Sequence, residues 1–437
     1  MHRIHIKQGK TDMGRTTRLA PLALVAALTL TSCSATGAAD ETATTDTEAA
    51  ISYAVWDENQ VPALEANIAA FNEIYPNIEV NIDITPWAQY WTKLQTQASG
   101  DTLPDVFWMN GPNFQLYAAN GQLEPMTALI DDGDIDPANY VDTLNDLYSF
   151  DDEQYGLPKD FDTVALWYNK AILARAGVAV PDGTWTWDDF HTAAKTVSDT
   201  LADEGVYGVA TGLTGGQEGY YNTILQAGGN VISDDGTTSG YDDPKTIAGL
   251  QFWADLIADG SSPNLQQLSD TPHNAWFTSG KTAFFWSGTW SVAELAAADN
   301  AADIDVAPLP QGEQQATVIH GLANVVAANS PNKGAAQAFQ AYLGSEAAQT
   351  LQAEMGAANP AYIGAGDAFI NSVPSFDLQV FIDEADNYAF PFPVSEDTAA
   401  WTTIENELLP QAFSGDRSVD DVAGELATRM NEALAAE

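Results

Sequence analysis

The spacing of apolar positions along the chain switches repeatedly between two periods. Residues 51–56, Ile-Ser-Tyr-Ala-Val-Trp, read as a strand. Residues 61–75 carry Leu64, Ile68 and Phe71 at spacings of four and three, which is a helical stripe, and Pro76 stops it. Residues 78–84 alternate apolar and polar positions as a strand does, and 105–109 form a further short strand. Strand, helix, strand, helix in that order predicts a parallel, doubly wound sheet.

The same rhythm restarts downstream. Strands are predicted at 163–168, 207–210, 282–286 and 304–307, with helices at 187–201 and 247–257. Thr186 and Asp189 stand in capping-box spacing before the first of these helices, with Gly205 beyond its end, and Gly260 closes the second. Ser418 and Asp421 repeat the capping spacing ahead of Val422, Leu426 and Met430. Two such runs predict two α/β lobes, and a crevice between lobes is a preferred place for a ligand.

The N-terminus follows a different pattern. Arg15 and Arg18 precede an apolar run at 19–30. A membrane span needs ~20 residues, so this run suits the core of a signal peptide instead. It ends in Leu30-Thr31-Ser32-Cys33, which resembles the bacterial lipobox and contains the only cysteine of the chain. The expectation is a signal peptide at 1–32 with Met1 or Met13 as the start, an acylated Cys33, and a small, polar, acidic tether over 33–50. With one cysteine, no intramolecular disulfide can form.

Charge removes whole classes of partner. The formal net charge is −46 over 437 residues; the first 32 residues hold five of the 15 basic side chains and one of the 61 acids, which leaves −50 on the rest. Such a surface repels phosphate backbones, so no nucleic acid is expected. It reads as solubilising and does not select a ligand by itself. Outside the leader the only histidines are His191, His273 and His320, isolated along the chain and in no metal-ligand spacing. Gly364-Ala-Gly366 lacks the third glycine of a dinucleotide loop, and 212–216 lacks the lysine of a phosphate loop. No cofactor, metal or catalytic set is expected.

Three stretches occur together and in order. They are Tyr155-Gly-Leu-Pro-Lys-Asp-Phe-Asp-Thr-Val-Ala-Leu-Trp-Tyr-Asn-Lys170, then Trp276-Phe-Thr-Ser-Gly-Lys-Thr-Ala-Phe-Phe-Trp-Ser-Gly-Thr-Trp290, then Asn329-Ser-Pro-Asn-Lys333 with Ala338-Phe-Gln-Ala-Tyr-Leu343. Over about residues 51–430 the chain resembles the extracellular solute-binding proteins of bacterial sugar ABC importers, the maltose-binding-protein-like group. The resemblance implies a class II periplasmic-binding-protein-like fold, with two doubly wound lobes joined by a hinge. The N-terminal lobe would comprise 51–161 plus 308–359, and the C-terminal lobe 162–307 plus 360–437. Chain crossings between lobes would fall near 157–163, 307–310 and 359–362, where Pro158, Pro308, Pro310 and Pro360 stand. The implied partners are a carbohydrate, the permease subunits of the importer, and the membrane through the lipid. The implied protein is a monomer on the outer face of the cell membrane.

Sugars offer flat apolar faces and rings of hydroxyls, so their sites need aromatic platforms and multiple hydrogen-bonding groups. Asp57 follows the first strand, at the end where open α/β sheets bind ligands. Asn110 ends the 105–109 strand. By resemblance, Asp162 at the first crossing is an acidic ligand contact with Asp160 as fallback, Glu218 and Tyr220 form an acidic-aromatic pocket segment, and Trp290 is a stacking platform. Trp286, with Ser287, is a weaker candidate; Gly321 and Asn324 follow the second crossing; Trp401 holds the place of a further stacking aromatic. In maltose-binding protein charged residues follow the Asn110 strand, whereas here Gly111, Pro112 and Asn113 stand there. Two other readings stay open: the same fold holding a polyamine, a metal or a polyol phosphate, and a secreted glycoside hydrolase, for which 61 acids make a chance carboxylate pair easy to find.

Overall fold

The computed structural model describes residues 42–437, apart from the side chains of Asp142 and Thr143. The leader and Cys33 lie outside the described residues. Two mixed sheets organise the rest. In the first, strands Ile78–Ile84, Ala49–Val55 and Val106–Asn110 are mutually parallel, and Leu322–Val326 and then Gly156–Pro158 add on antiparallel. The second has the order Ile304–Ala307, Val164–Asn169, Thr282–Gly288, Tyr207–Thr211, with only the last pair parallel. The strands read from the sequence are present; what the local pattern omitted is the pair Leu322–Val326 and Gly156–Pro158, which extends the first sheet antiparallel.

The central strands are buried along their whole length: five residues in Val106–Asn110, six in Val164–Asn169 and seven in Thr282–Gly288. Helices cover both faces, so these strands have no polar face. The helix Trp187–Thr200 begins where its capping box predicts. The Thr186 side chain accepts from the Asp189 N–H, and the Thr186 N–H donates to the Asp189 carboxylate at 3.0 Å. Its buried stripe, Phe190, Ala194 and Val197, packs into the second core beside Phe284 and Trp286.

Each sheet has its own core. Ile51, Tyr53, Phe71, Trp108, Val325 and Phe339 belong to the first; Val164, Phe284, Trp253, Trp401 and Leu426 belong to the second. Two boundaries differ from expectation. The first strand starts at Ala49, paired with Ile78, two residues before the expected start of the first lobe. The second crossing also lies later than 307–310. Leu309 and Val318 pack into the second core, and Thr317–Ile319 pairs in parallel with Ala389–Pro391. Leu322 is the next residue in the first core, so the chain changes lobes at His320 and Gly321. Pro308 stays in the second lobe, packed near Gly183.

The crossings are laced together. Asp162 and His320 exchange backbone hydrogen bonds of 2.6 and 3.0 Å, and the Phe161 N–H donates to the Asn359 carbonyl at 3.1 Å. Gln349 donates to the Pro158 carbonyl at 2.9 Å from the neighbouring helix Glu346–Glu354.

Candidate ligand-binding site

The ten residues singled out in the sequence divide into three groups. The first group is core. Tyr220, Trp286 and Trp401 are fully buried. Trp286 stands edge-on to Trp253 at 5.0 Å and to Phe190 at 5.7 Å. The Trp401 indole donates to Ser395 Oγ at 2.9 Å, and Tyr220 donates to the Glu405 carboxylate at 3.2 Å, where Tyr221 also donates at 2.8 Å. Asn324 lies in the first core, where Trp108 Nε1 donates to Tyr53 Oη at 2.7 Å and Tyr53 Oη donates to Asn324 Oδ1 at 2.7 Å. In this structure the three aromatics fill the space between sheet and helices, and Asn324 satisfies a buried hydroxyl.

The second group holds the crossings and a helix end. Gly321 cannot carry a side chain, because a Cβ there would lie 2.3 Å from the Asp160 carbonyl oxygen. It therefore lets the second crossing pack on the first. Asn110 caps the helix Gly111–Ala119, its Oδ1 accepting from the Asn113 N–H at 3.2 Å and side-chain amide at 2.8 Å. Asp162 is buried and accepts from the Thr289 hydroxyl. Burial, and then the nearby Asp160 charge, push its carboxyl up to about 8. In this position it ties the first crossing to Thr289. The fallback Asp160 is paired with Lys159, equally buried, and accepts from the Leu322 N–H at 2.8 Å. Lys159 lies 4.6 Å over the Trp108 ring and reaches Gln60 at 3.2 Å. The His320 ring accepts from the Gly111 N–H at 3.1 Å through Nε2, and burial pushes its pKa down to about 4, so it stays neutral.

The third group is the one that faces outward. Trp290 is half-buried at the edge of the second core. Its ring lies so close over Gly288 that a Cβ there would fall 2.1 Å from Cζ3. The Glu218 carboxylate is close enough to the indole for the ring to help stabilise its charge. Glu218 also accepts from Ser287 at 2.7 Å and pairs with His273 Nε2 at 2.9 Å. A carboxylate offers about four lone-pair sites, so most of its capacity goes to holding its neighbours. Burial opposes its charge, but His273, Ser287 and Trp290 outweigh burial and hold its pKa below the ordinary carboxylate value. Burial likewise pushes His273 down, and the Glu218 charge and hydrogen bond more than offset this, so its pKa is raised. The histidine that looked isolated in sequence is thus the partner of the pocket carboxylate 55 residues away in the chain.

Asp57 is half-buried just beyond the end of the first strand. It accepts from the Asn59 N–H at 2.9 Å and the Gln60 side chain at 3.1 Å. Its charge is felt at Asp162. The helix Val292–Ala297, which starts two residues after Trp290, lies against Glu58–Gln60. Trp290 and Asp57 therefore each stand within two residues of elements that touch between the lobes.

Two α/β lobes laced by adjacent crossings, with a pinned indole on one side and strand ends on the other, define a two-lobed solute-binding architecture. The chain belongs to the bacterial extracellular solute-binding protein family, whose pattern matches residues 56–350. It is similar to the diacetylchitobiose binding protein DasA of Streptomyces coelicolor, 27% identical over 295 residues that cover 65% of this chain and 67% of the relative. An arabinooligosaccharide-binding protein of Halalkalibacterium halodurans is 25% identical over 334 residues, 70% of either chain. Among solved structures, the ABC substrate-binding protein Lmo0181 of Listeria monocytogenes, in complex with cycloalternan, superimposes with a TM-score of 0.83 at 25% identity, over 89% of this chain and 100% of that one.

Proposed function

We propose that this protein captures an oligosaccharide outside the cell and hands it to the permease of an ABC importer. The observation that carries the reading is the half-buried Trp290 indole, laid tightly against Gly288 near the contact between the lobes. A rigid indole covers the apolar face of a pyranose with little loss of entropy, and nearby carboxylates such as Asp57 accept its hydroxyls. The relatives named for diacetylchitobiose and arabinooligosaccharides support a carbohydrate as the ligand class. Ligand contacts from both lobes favour a closed state, and the lacing of the three crossings confines the bending to them. A lipid on Cys33 holds the monomeric carrier at the outer face of the membrane, with the following residues as tether.

Calorimetric titration with mono- to tetrasaccharides of the chito-, arabino- and α-gluco- series tests the reading. Binding to one series, with the sugar recovered uncut and a smaller radius of gyration in solution scattering, is the expected result. Binding of a polyamine or a metal with no response to any sugar overturns it, and cleavage of the sugar makes the protein a hydrolase.

A further inference from the structure

Trp87 is 53% exposed, an unusual state for the largest apolar side chain. It opens the helix Trp87–Ser99, just beyond the C-terminal end of the strand Ile78–Ile84. Its ring is not loose. Trp56 meets it edge-on at 5.2 Å and Trp91 at 5.8 Å. Trp56 in turn rests on Tyr90 at 4.9 Å and Trp108 at 5.0 Å. The interior thus supports one side of the indole while the rest faces water. A tryptophan held in this way gives up little freedom when something stacks on it.

The shelf is continuous with the junction between the lobes. Trp56 precedes Asp57 directly, and the 3-10 turn Glu58–Gln60 that follows lies against the helix after Trp290. Parallel strands 49–55, 78–84 and 106–110 all end on this side, where open α/β sheets take ligands. Beside an acid that accepts hydroxyls, an exposed indole suits a sugar ring better than a purely apolar partner.

We propose that Trp87, backed by Trp56 and Trp91, is an outer sugar-stacking platform on the first lobe, so that the ligand is an oligosaccharide long enough to reach it from Trp290. The inference rests on the proposed carbohydrate function and adds to it a length requirement set by a residue of the first lobe.

The test is calorimetric titration of wild type, Trp87→Ala and Trp87→Phe with chito-, arabino- and α-gluco-oligosaccharides of increasing length. In wild type, affinity rises with length within one series. In Trp87→Ala the affinity ratio of the longest to the shortest sugar falls about tenfold, the size of one aromatic stacking contact, and Trp87→Phe restores most of it. Unchanged thermal unfolding of the unliganded variants confirms that the fold is not the cause. Equal affinities of wild type and Trp87→Ala at every length overturn the platform while leaving the carbohydrate function standing. So does a variant that binds normally but fails in uptake, which makes the shelf a permease contact. Failure of wild type to bind any of the three series overturns the functional reading itself, and the platform with it.

Discussion

Gly288→Ala probes the pinned indole without touching it chemically. The Gly288 backbone, at φ −92° and ψ −169°, is extended and suits alanine as well as glycine. The added methyl, however, would sit 2.1 Å from Trp290 Cζ3 and 2.5 Å from Cε3 and Cη2. Carbon atoms settle near 3.5–4.0 Å, so the ring must move by roughly 1.5 Å. That motion carries the indole away from the Glu218 carboxylate, whose charge it helps to stabilise. Since Trp290 is half-buried, water replaces much of the loss in the free protein, and its unfolding free energy should change by no more than about 1 kcal/mol. Affinity for the tightest sugar found by calorimetry should fall by about 1–3 kcal/mol, or roughly 5- to 150-fold, as the platform is displaced. Trp290→Ala should match it, and the double variant should bind no worse than Trp290→Ala alone, because the methyl acts only through the ring. Wild-type affinity in Gly288→Ala, additive losses in the double variant, or collapse of the unliganded fold would each refute this account of Trp290.

Further outcomes follow from groups away from the indole. Glu405 accepts hydroxyls from Tyr220, Tyr221 and Tyr241, so Glu405→Gln, whose amide nitrogen cannot accept, should cost about 1–3 kcal/mol in urea unfolding; an unchanged midpoint would deny that the cluster supports the second core. Asp162 holds its proton up to about pH 8 in the fold, against an ordinary carboxyl value of 3.8. Its stabilising contribution is therefore complete below the lower value and is lost as pH rises to the upper one, at no more than about 1.4 kcal/mol per pH unit. Asp162→Asn copies the neutral acid, so its stability should gain on wild type between pH 5 and 8; parallel stability curves would show that the carboxyl ionises normally. Cys33→Ala should move the protein from the membrane fraction to the medium with ligand affinity intact, and unchanged membrane association would reject the anchor.

Local order was legible from the sequence because local chemistry writes it. The strand at 78–84 alternates apolar and polar positions, and Thr186 with Asp189 fixes the start of a helix, and both stand where the pattern puts them. The three motif stretches were sufficient to indicate the two-lobed family, and its pattern does match. Tertiary structure alone decided which tryptophans are walls and which are surface. Trp286 and Trp290 lie four residues apart in one motif, yet the first ends up sealed in the core and the second half-open. A strand covered on both faces carries no polar face in its sequence, so nothing local marks which of its side chains reach the cleft. The pairings that decide it span the chain: Asn324 meets Tyr53 across 271 residues, and His320 reaches the backbone of Gly111 across 209. Sheet register sets those contacts, and register depends on both lobes folding around their cores. The crossings moved for the same reason. A proline can mark a stiff place in a chain, but only the pairing of Thr317–Ile319 with Ala389–Pro391 keeps Pro308 and Pro310 in the second lobe and leaves His320 and Gly321 to pass between the two.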